Sequence, residues 1–333
     1  MDSMKFNAYW MLRSAFAASL LSTVCLSYAV AAAPVADVEA QAREAWREAI
    51  VETEVPGEGC FYATYPNNSW LKVGCTTAPN RPFRPRTGAI SNTVGDGNDY
   101  AAEVSGLMTR SIGSFPTVTG VTSETGLDGP NDYSLQLNSN FMTTAACHGI
   151  SGCLSWQQFV YSSGVGIAFM QYWLINYSNS KTDKCPAGWN HDYPNCYKNS
   201  AAVSVPLQVI TELAHLQLSG SAVANGKDTL IFTTETEAYT TSGSDKIVDL
   251  ATDWSESEFN VFGDGDGSAA VFNNGSTIKV RIGVFNGTTD IPTCAGPTDA
   301  GTTAETNNLN LGKCSALGGA KPMINFVEAL GAK

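Results

Sequence analysis

Positive charge and histidine are scarce in this chain of 333 residues: 19 Lys and Arg stand against 31 Asp and Glu, with three histidines. The net charge of −12 and pI near 4.6 disfavour nucleic acid or an anionic membrane as partners, because both repel an acidic surface. No H-E-x-x-H occurs, and no two of His148, His191 and His215 stand four apart, so a helical zinc-peptidase site is not expected. The chain has no G-x-S-x-G elbow, no Walker motif and no G-x-G-x-x-G after a strand, which removes the serine-hydrolase and nucleotide-binding readings. No C-x-x-C pair is present to hold zinc. Asp264 and Asp266 in GDGDG lack the remaining ligands of a calcium loop and read as a tight hairpin turn. Neither a metal nor a cofactor is expected.

What is present begins with a leader. Lys5 and Arg13 precede the apolar run Ser14–Val30, which closes in Ala29-Val30-Ala31. That is the pattern of a signal peptide over residues 1–31, cut near Ala31. No later run is long and apolar enough to cross a bilayer, so a secreted product, extracellular or periplasmic, is expected. Cys25 leaves with the leader. The remaining eight cysteines fall into local pairs, and an even count in an exported chain reads as disulfides. The expected bridges are Cys60–Cys75, Cys147–Cys153, Cys185–Cys196 and Cys294–Cys314, which leave no thiol nucleophile.

The texture then divides the chain. Residues 32–56 carry VADVEAQAREAWREAIVETE, rich in helix formers and closed by Pro56 and Gly57; this is either a pro-segment or a helix packed on the main domain. Residues 57–132 are rich in Pro, Gly, Asn and Thr and read as loop with short strands. From 133 to 290, short β-prone runs alternate with turns, and Thr277–Phe285 sets Ile278, Val280, Ile282 and Val284 on one face. The run Leu207–Leu218 fits either a strand or a helix. Residues 291–333 form a disulfide-tied tail with a short helix expected at Pro322–Leu330. Many strands without βαβ alternation predict an all-β, antiparallel sandwich of the jelly-roll or concanavalin type, with an N-terminal helix and disulfide-tied loops. A monomer is expected.

Chemistry must then rest on carboxylates and amides. In DWSESEFNVFG, alternation places Trp254, Glu256 and Glu258 on one strand face. LSWQQFVY brings Trp156, Gln157 and Gln158, and AFMQYWL brings Gln171 and Trp173. Indoles and amides on successive strands suit a groove for a polypeptide or a glycan, though such residues are also common core and rim groups of sandwiches.

These strands resemble, in order and in short motifs, those of the glutamic peptidases, secreted acid proteases built as a β-sandwich; the neprosin peptidases are a related likeness. A family pattern of the type I-L-Q-x-G-V is met by LSWQQFV, with Gln157 at the glutamine and Val160 at the valine, and the carboxylate strand by DWSESEF. Asp253 stands where the family has Glu before its Trp, Phe159 where it has Gly, and Glu256 and Glu258 are each displaced by one residue. The resemblance implies Glu258 or Glu256 as general base on a water, and Gln157 as oxyanion donor. Gln171, Trp173, Trp254 and Trp156 would hold an extended polypeptide. The alternative reading is a lectin-like module that needs neither glutamate. A glycosidase would need two acids about 5 to 10 Å apart, with Glu235 and Glu237 as the second pair.

Overall fold

A computed structural model describes residues 35–88, 92–178 and 184–331; the expected leader, with Cys25, lies outside the described residues. Helix α1 is Val35–Ile50. The strands that matter here are β1 (Cys60–Thr64), β2 (Ala101–Glu103), β3 (Arg110–Thr119), β4 (Tyr133–Ser139), β5 (Leu154–Ser162), β6 (Ile167–Ile175), β7 (Asn195–Asn199), β8 (Gln217–Ser221), β9 (Lys227–Thr233), β10 (Glu237–Ser244), β11 (Glu256–Gly263), β12 (Thr277–Phe285) and β13 (Met323–Ala329). Among the described residues they belong to two ten-stranded antiparallel sheets. The first runs β1-β10-β9-β8-β3-β12-β13, the second β7-β6-β5-β4-β11-β2. The fold is the β-sandwich that the strand pattern predicts. Among the described residues, no helix is long and apolar enough to cross a membrane.

Alternation builds the core between the sheets. Ile278, Val280, Ile282 and Val284 of β12 are buried as their period requires. Facing them from the second sheet are Leu135, Leu137, Phe159, Tyr161, Phe259 and Val261, in one apolar cluster with Leu230 and Phe232 of β9. Tyr161 stacks on Phe232 with ring centroids 4.1 Å apart. Two glycines let large rings close the gap: a Cβ on Gly113 would stand 2.0 Å from the Phe259 ring, and one on Gly220 2.4 Å from Phe159. Trp46 and Ile50 of α1, with Val51 just after it, cover Phe61, Ile231 and Ala238 on the outer face of the first sheet. All four expected disulfides are formed.

Three expectations change. Pro322–Leu330 is not helical: β13 pairs with β12 from Met323 to Ala329, and Ile324 and Phe326 bury on alternate positions. The run around Leu207–Leu218 is neither one strand nor one helix, because Pro206 follows the strand Ala201–Ser204 and a 3-10 turn, Ile210–His215, leads into β8. The loop-rich stretch 57–132 contains β3, ten residues long, paired on both edges with β8 and β12. Gly113 and Pro116 disguise it. The first makes room for Phe259, and the second lies where the β3–β12 register shifts, the position a strand tolerates proline.

Candidate active site

On β4, β5, β6 and β11 the residues out of phase with the core form a second, polar face. Register sets five of its side chains in one row across the strands. Asn199 of β7 is opposite Gln171, Gln171 opposite Gln158, Gln158 opposite Asn138, and Asn138 opposite Glu258. Cross-strand partners project from the same side of a sheet, so the row is one surface. Asn138 Nδ2 donates to Glu258 Oε2 at 3.0 Å. Gln158 Nε2 donates to Gln136 Oε1 at 2.9 Å, and Trp173 Nε1 donates to Gln158 Oε1 at 3.2 Å and to Gln171 Oε1 at 3.0 Å. Trp156, Trp173 and Tyr197 pack together beside the row.

Glu258 is the carboxyl member of the row. Thr302 donates to its Oε2 from both N and Oγ1, each at 2.8 Å. Its Oε1 is buried without a hydrogen-bond partner, as is Asn138 Oδ1. Burial pushes the Glu258 carboxyl up, against the hydrogen bonds from Asn138 and Thr302. Two further carboxylates lie close. Asn260 Nδ2 stands 3.0 Å from Asp99 Oδ2 and 3.4 Å from Glu328 Oε2. Asp99 is held well above the ordinary carboxylate range by burial first, then by repulsion from Glu258 and Glu328. Glu328 is pushed to about 8 by burial. Glu256, half-buried at the edge of this face and paired across the ladder with Glu103, rises to about 7 through burial and then the charges of Glu103 and Glu258, with Arg86 opposing. Among the described residues no group of three His, Cys, Asp or Glu is arranged to hold a metal ion.

The predicted residues divide between the two faces. Glu258, Glu256, Gln171, Trp173 and Trp156 are on the polar face. Gln157 is not: it is in phase with Phe159 and Tyr161, its Nε2 lies 3.7 Å from Met170 Sδ in the inter-sheet core, and its Oε1 has no partner. Its neighbour Gln158 holds the position in the row. Trp254 also points into the inter-sheet core, 6.0 Å from Phe159, because it precedes β11 and leaves the strand's alternation. Glu235 and Glu237 are far from pairing with Glu256 or Glu258, since β10 and β11 belong to different sheets; Glu235 binds Arg43 of α1, and Glu237 accepts from Tyr239. Sequence reasoning missed Gln136, Asn138, Asp99 and Thr302. A signal for the first two was there, in YSLQLNS, where Leu135 and Leu137 alternate with Ser134, Gln136 and Asn138.

The polar face is covered, not open. Gln171, Trp173, Trp156, Gln158 and Glu258 are all buried. The segment 79–87, without regular secondary structure apart from a bridge of Pro85 to Thr303, lies over this face. Gln171 Nε2 donates to Arg81 O at 3.0 Å, and Phe83 N donates to Gln171 Oε1 at 2.7 Å. Asn199 Nδ2 donates to Pro79 O, and Tyr197 Oη to Asn80 Oδ1. The Phe83 ring is fully buried among Val160, Ile167 and Phe169. Beyond it, Arg86 N donates to Thr302 O and Ala304 N to Arg84 O, so residues 302–304 tie the segment to the backbone that caps Glu258.

No family model and no curated protein matches the chain. Among solved structures, the chain is similar to scytalido-glutamic peptidase with a transition state analog inhibitor, at 10% identity and a TM-score of 0.29 over 72% of this chain and 98% of that one. It is similar also to SCP-B, a member of the eqolisin family of peptidases in complex with the tripeptide Ala-Ile-His, at 11% identity and a TM-score of 0.28 over the same shares.

Proposed function

We propose that this chain is an exported, acid-acting endopeptidase whose working surface is the polar face, with Glu258 as the water-activating carboxylate and Gln158 as the oxyanion donor. The observation that carries the reading is the row itself: a carboxylate with one unpartnered oxygen, aligned across two strand spacings with a glutamine amide. Two spacings separate the backbones by about 9–10 Å, with Asn138 on the strand between them donating to Glu258, so a peptide carbonyl and a water would lie over this row once the face is uncovered. Gln171 already bonds the backbone of the covering segment through one N–H and one C=O, contacts to main-chain atoms that do not depend on the side chains of the polypeptide bound.

In the proposed step, ionised Glu258 takes a proton from water, the hydroxide adds to the carbonyl carbon, and the Gln158 amide stabilises the oxyanion. The proton then passes from Glu258 to the leaving nitrogen as the C–N bond breaks. Burial is the first cause of the raised Glu258 pKa, so uncovering the face lowers it and favours the ionised carboxylate that the step needs. Glu256 sits beside it on the same strand face as the second carboxylate. The four disulfides support an oxidising, extracytoplasmic site of action.

The test is cleavage of an acid-denatured protein from pH 2 to 7 by the wild type and by Glu258→Gln and Gln158→Leu. Loss of the base or of the oxyanion donor each lowers kcat by about 10²–10⁴-fold. Cleavage that survives Glu258→Gln overturns the assignment.

A further inference from the structure

The segment over the polar face carries three arginines, Arg81, Arg84 and Arg86, and each meets carboxylates of the surrounding loops. Arg81 binds Asp128 at 2.7 Å and Asp264 at 3.4 Å, with Asp132 adding to the field around it. Arg84 binds Asp192 at 3.2 Å and Asp266 at 3.5 Å, faces the Glu305 carboxylate and lies near the Tyr197 phenol. Arg86 stands 3.8 Å from Asp299, faces Glu256, and lies over the Phe141 ring. Thr87 donates from N and Oγ1 to Asp96. These anchors come from five separate loops and turns around the face. Most of the pairs are partly exposed, so each is weak alone and the set acts together.

We propose that residues 79–87 are an internal occupant of the polypeptide groove, held by this arginine–carboxylate latch and released by acid. The inference rests on the reading of the polar face as the working surface, and it deepens that reading by naming its regulation. The segment satisfies Gln171 through its main chain and fills the pocket of Val160, Ile167 and Phe169 with Phe83, as an aromatic side chain of a bound polypeptide would. Acid weakens arginine–carboxylate pairs of this partly exposed kind, and the mutual repulsion and hydration of the arginines then favour the released segment. The body responds in the opposite direction. Apart from Asp264 and Glu305, which face Arg81 and Arg84, its buried carboxylates such as Glu258, Asp99, Asp228 and Glu328 have amides, hydroxyls or one another for neighbours, and acid keeps them neutral. Acidification therefore frees the segment while the sandwich that carries the groove stays folded. The pocket left by Phe83 fits a substrate with a large aromatic or aliphatic side chain beside the scissile region.

The experiment is hydrogen exchange followed by mass spectrometry on the full folded chain at pH 7 and pH 3.5, as protection relative to intrinsic rates, together with the cleavage assay. Arg84→Gln and Asp192→Asn approach the latch from its two sides, so a folding defect in one leaves the other to report. At pH 3.5 the peptide over 78–88 is expected to lose protection by about a hundredfold while 154–162 keeps its own, and each variant to give about a fivefold loss at pH 7, the scale of one or two partly exposed pairs. Protection over 78–88 that persists at pH 3.5, or that is lost only together with 154–162, overturns the latch. Release without hydrolysis sustains the latch and sinks the peptidase reading; hydrolysis with the segment still protected does the reverse.

Discussion

Raising the pH from about 4.5 to about 8 should destabilise this protein strongly, in contrast to chains stabilised by ionised carboxylates. Nine carboxylates are buried among the described residues, against one buried basic side chain, Arg47, which bonds the His215 carbonyl. Take two buried groups that are raised to about 8. Glu328 is pushed from an ordinary 4.5 to about 8 by burial, and Asp228 from 3.8 to about 8, first by burial and then by Asp245. The Asp228 carboxylate has Gln157 and Asp245 beside it but makes no hydrogen bond of good geometry. The sign follows from proton counting. Between the ordinary values and about 8 the folded chain keeps protons that the unfolded chain has released, so stability is complete in acid and falls as pH rises through that window. Each such group contributes about 1.4 kcal/mol per pH unit at the limit; relaxation and water entry reduce this, and two groups over two units give about 2–5 kcal/mol. That is a large share of a total stability of about 5–15 kcal/mol. Urea unfolding at pH 4.5, 6 and 7.5, at fixed ionic strength, should show the midpoint falling at each step. Glu328→Gln should narrow the difference by raising stability at pH 7.5 and leaving pH 4.5 nearly unchanged. A midpoint that is flat or rises toward neutrality refutes the reasoning.

Three further outcomes follow from the packing. Gly113→Ala drives a methyl into the Phe259 ring and should cost about 1–3 kcal/mol, as overpacking does, measurable by thermal unfolding. Trp254→Ala empties the space beside Phe159 in the inter-sheet core and removes the indole hydrogen bond to the Glu256 carbonyl, and should cost about 3–5 kcal/mol, read from the urea midpoint. Replacing both Cys294 and Cys314 with Ser frees a loop of sequence separation 20 and should lower stability by about 2–4 kcal/mol, read from the urea midpoint.

Much of the framework was legible because it depends on local rules. The alternation of Ile278 to Val284, the turns between strands and the spacing of eight cysteines each specify a structure without long-range information. The site was harder because both faces of its sheet are buried. On a half-exposed strand, polarity tells which face is which; on β5 both Gln157 and Gln158 are buried among aromatics, and either phase satisfies the pattern. Only pairing with β4, whose Leu135 and Leu137 mark the core face, decides that Gln158 belongs with Glu258. Trp254 misleads for a related reason: period-2 reasoning extends it into β11, but the strand begins at Glu256, and the indole turns the other way. The covering segment was hidden by its composition. NRPFRPR reads as loop, and nothing local says that its Phe83 fills a pocket or that its arginines meet aspartates as distant in the chain as Asp264 and Asp299.

The two charge populations of this molecule sort by burial, and this sorting gives acid a direction of action. Carboxylates inside the sandwich meet amides, hydroxyls and one another. Glu258 has Asn138 and Thr302, Asp99 has Asn260, and Asp264 has Ser162 with Arg81 at the edge. Such groups favour the protonated state, so the interior is best suited to acid. Carboxylates outside meet arginine, and their pairs lose strength when protonated. Five of the ten ion pairs among the described residues, those of Arg81, Arg84 and Arg86, lie on the one segment over the amide row, and the other five gather at α1 and Glu52 just beyond it. A neutral solution thus favours a closed face over a body under internal repulsion, and an acidic one favours an open face on a relaxed body. Replacing Asp128, Asp192 and Asp266 together with Asn should separate the two responses: the segment opens at neutral pH, while the urea midpoint still falls from pH 4.5 to 7.5 as before, since none of the three lies in the interior. A triple variant that stays closed at pH 7, or whose midpoint no longer depends on pH, would show that the two populations are not separate.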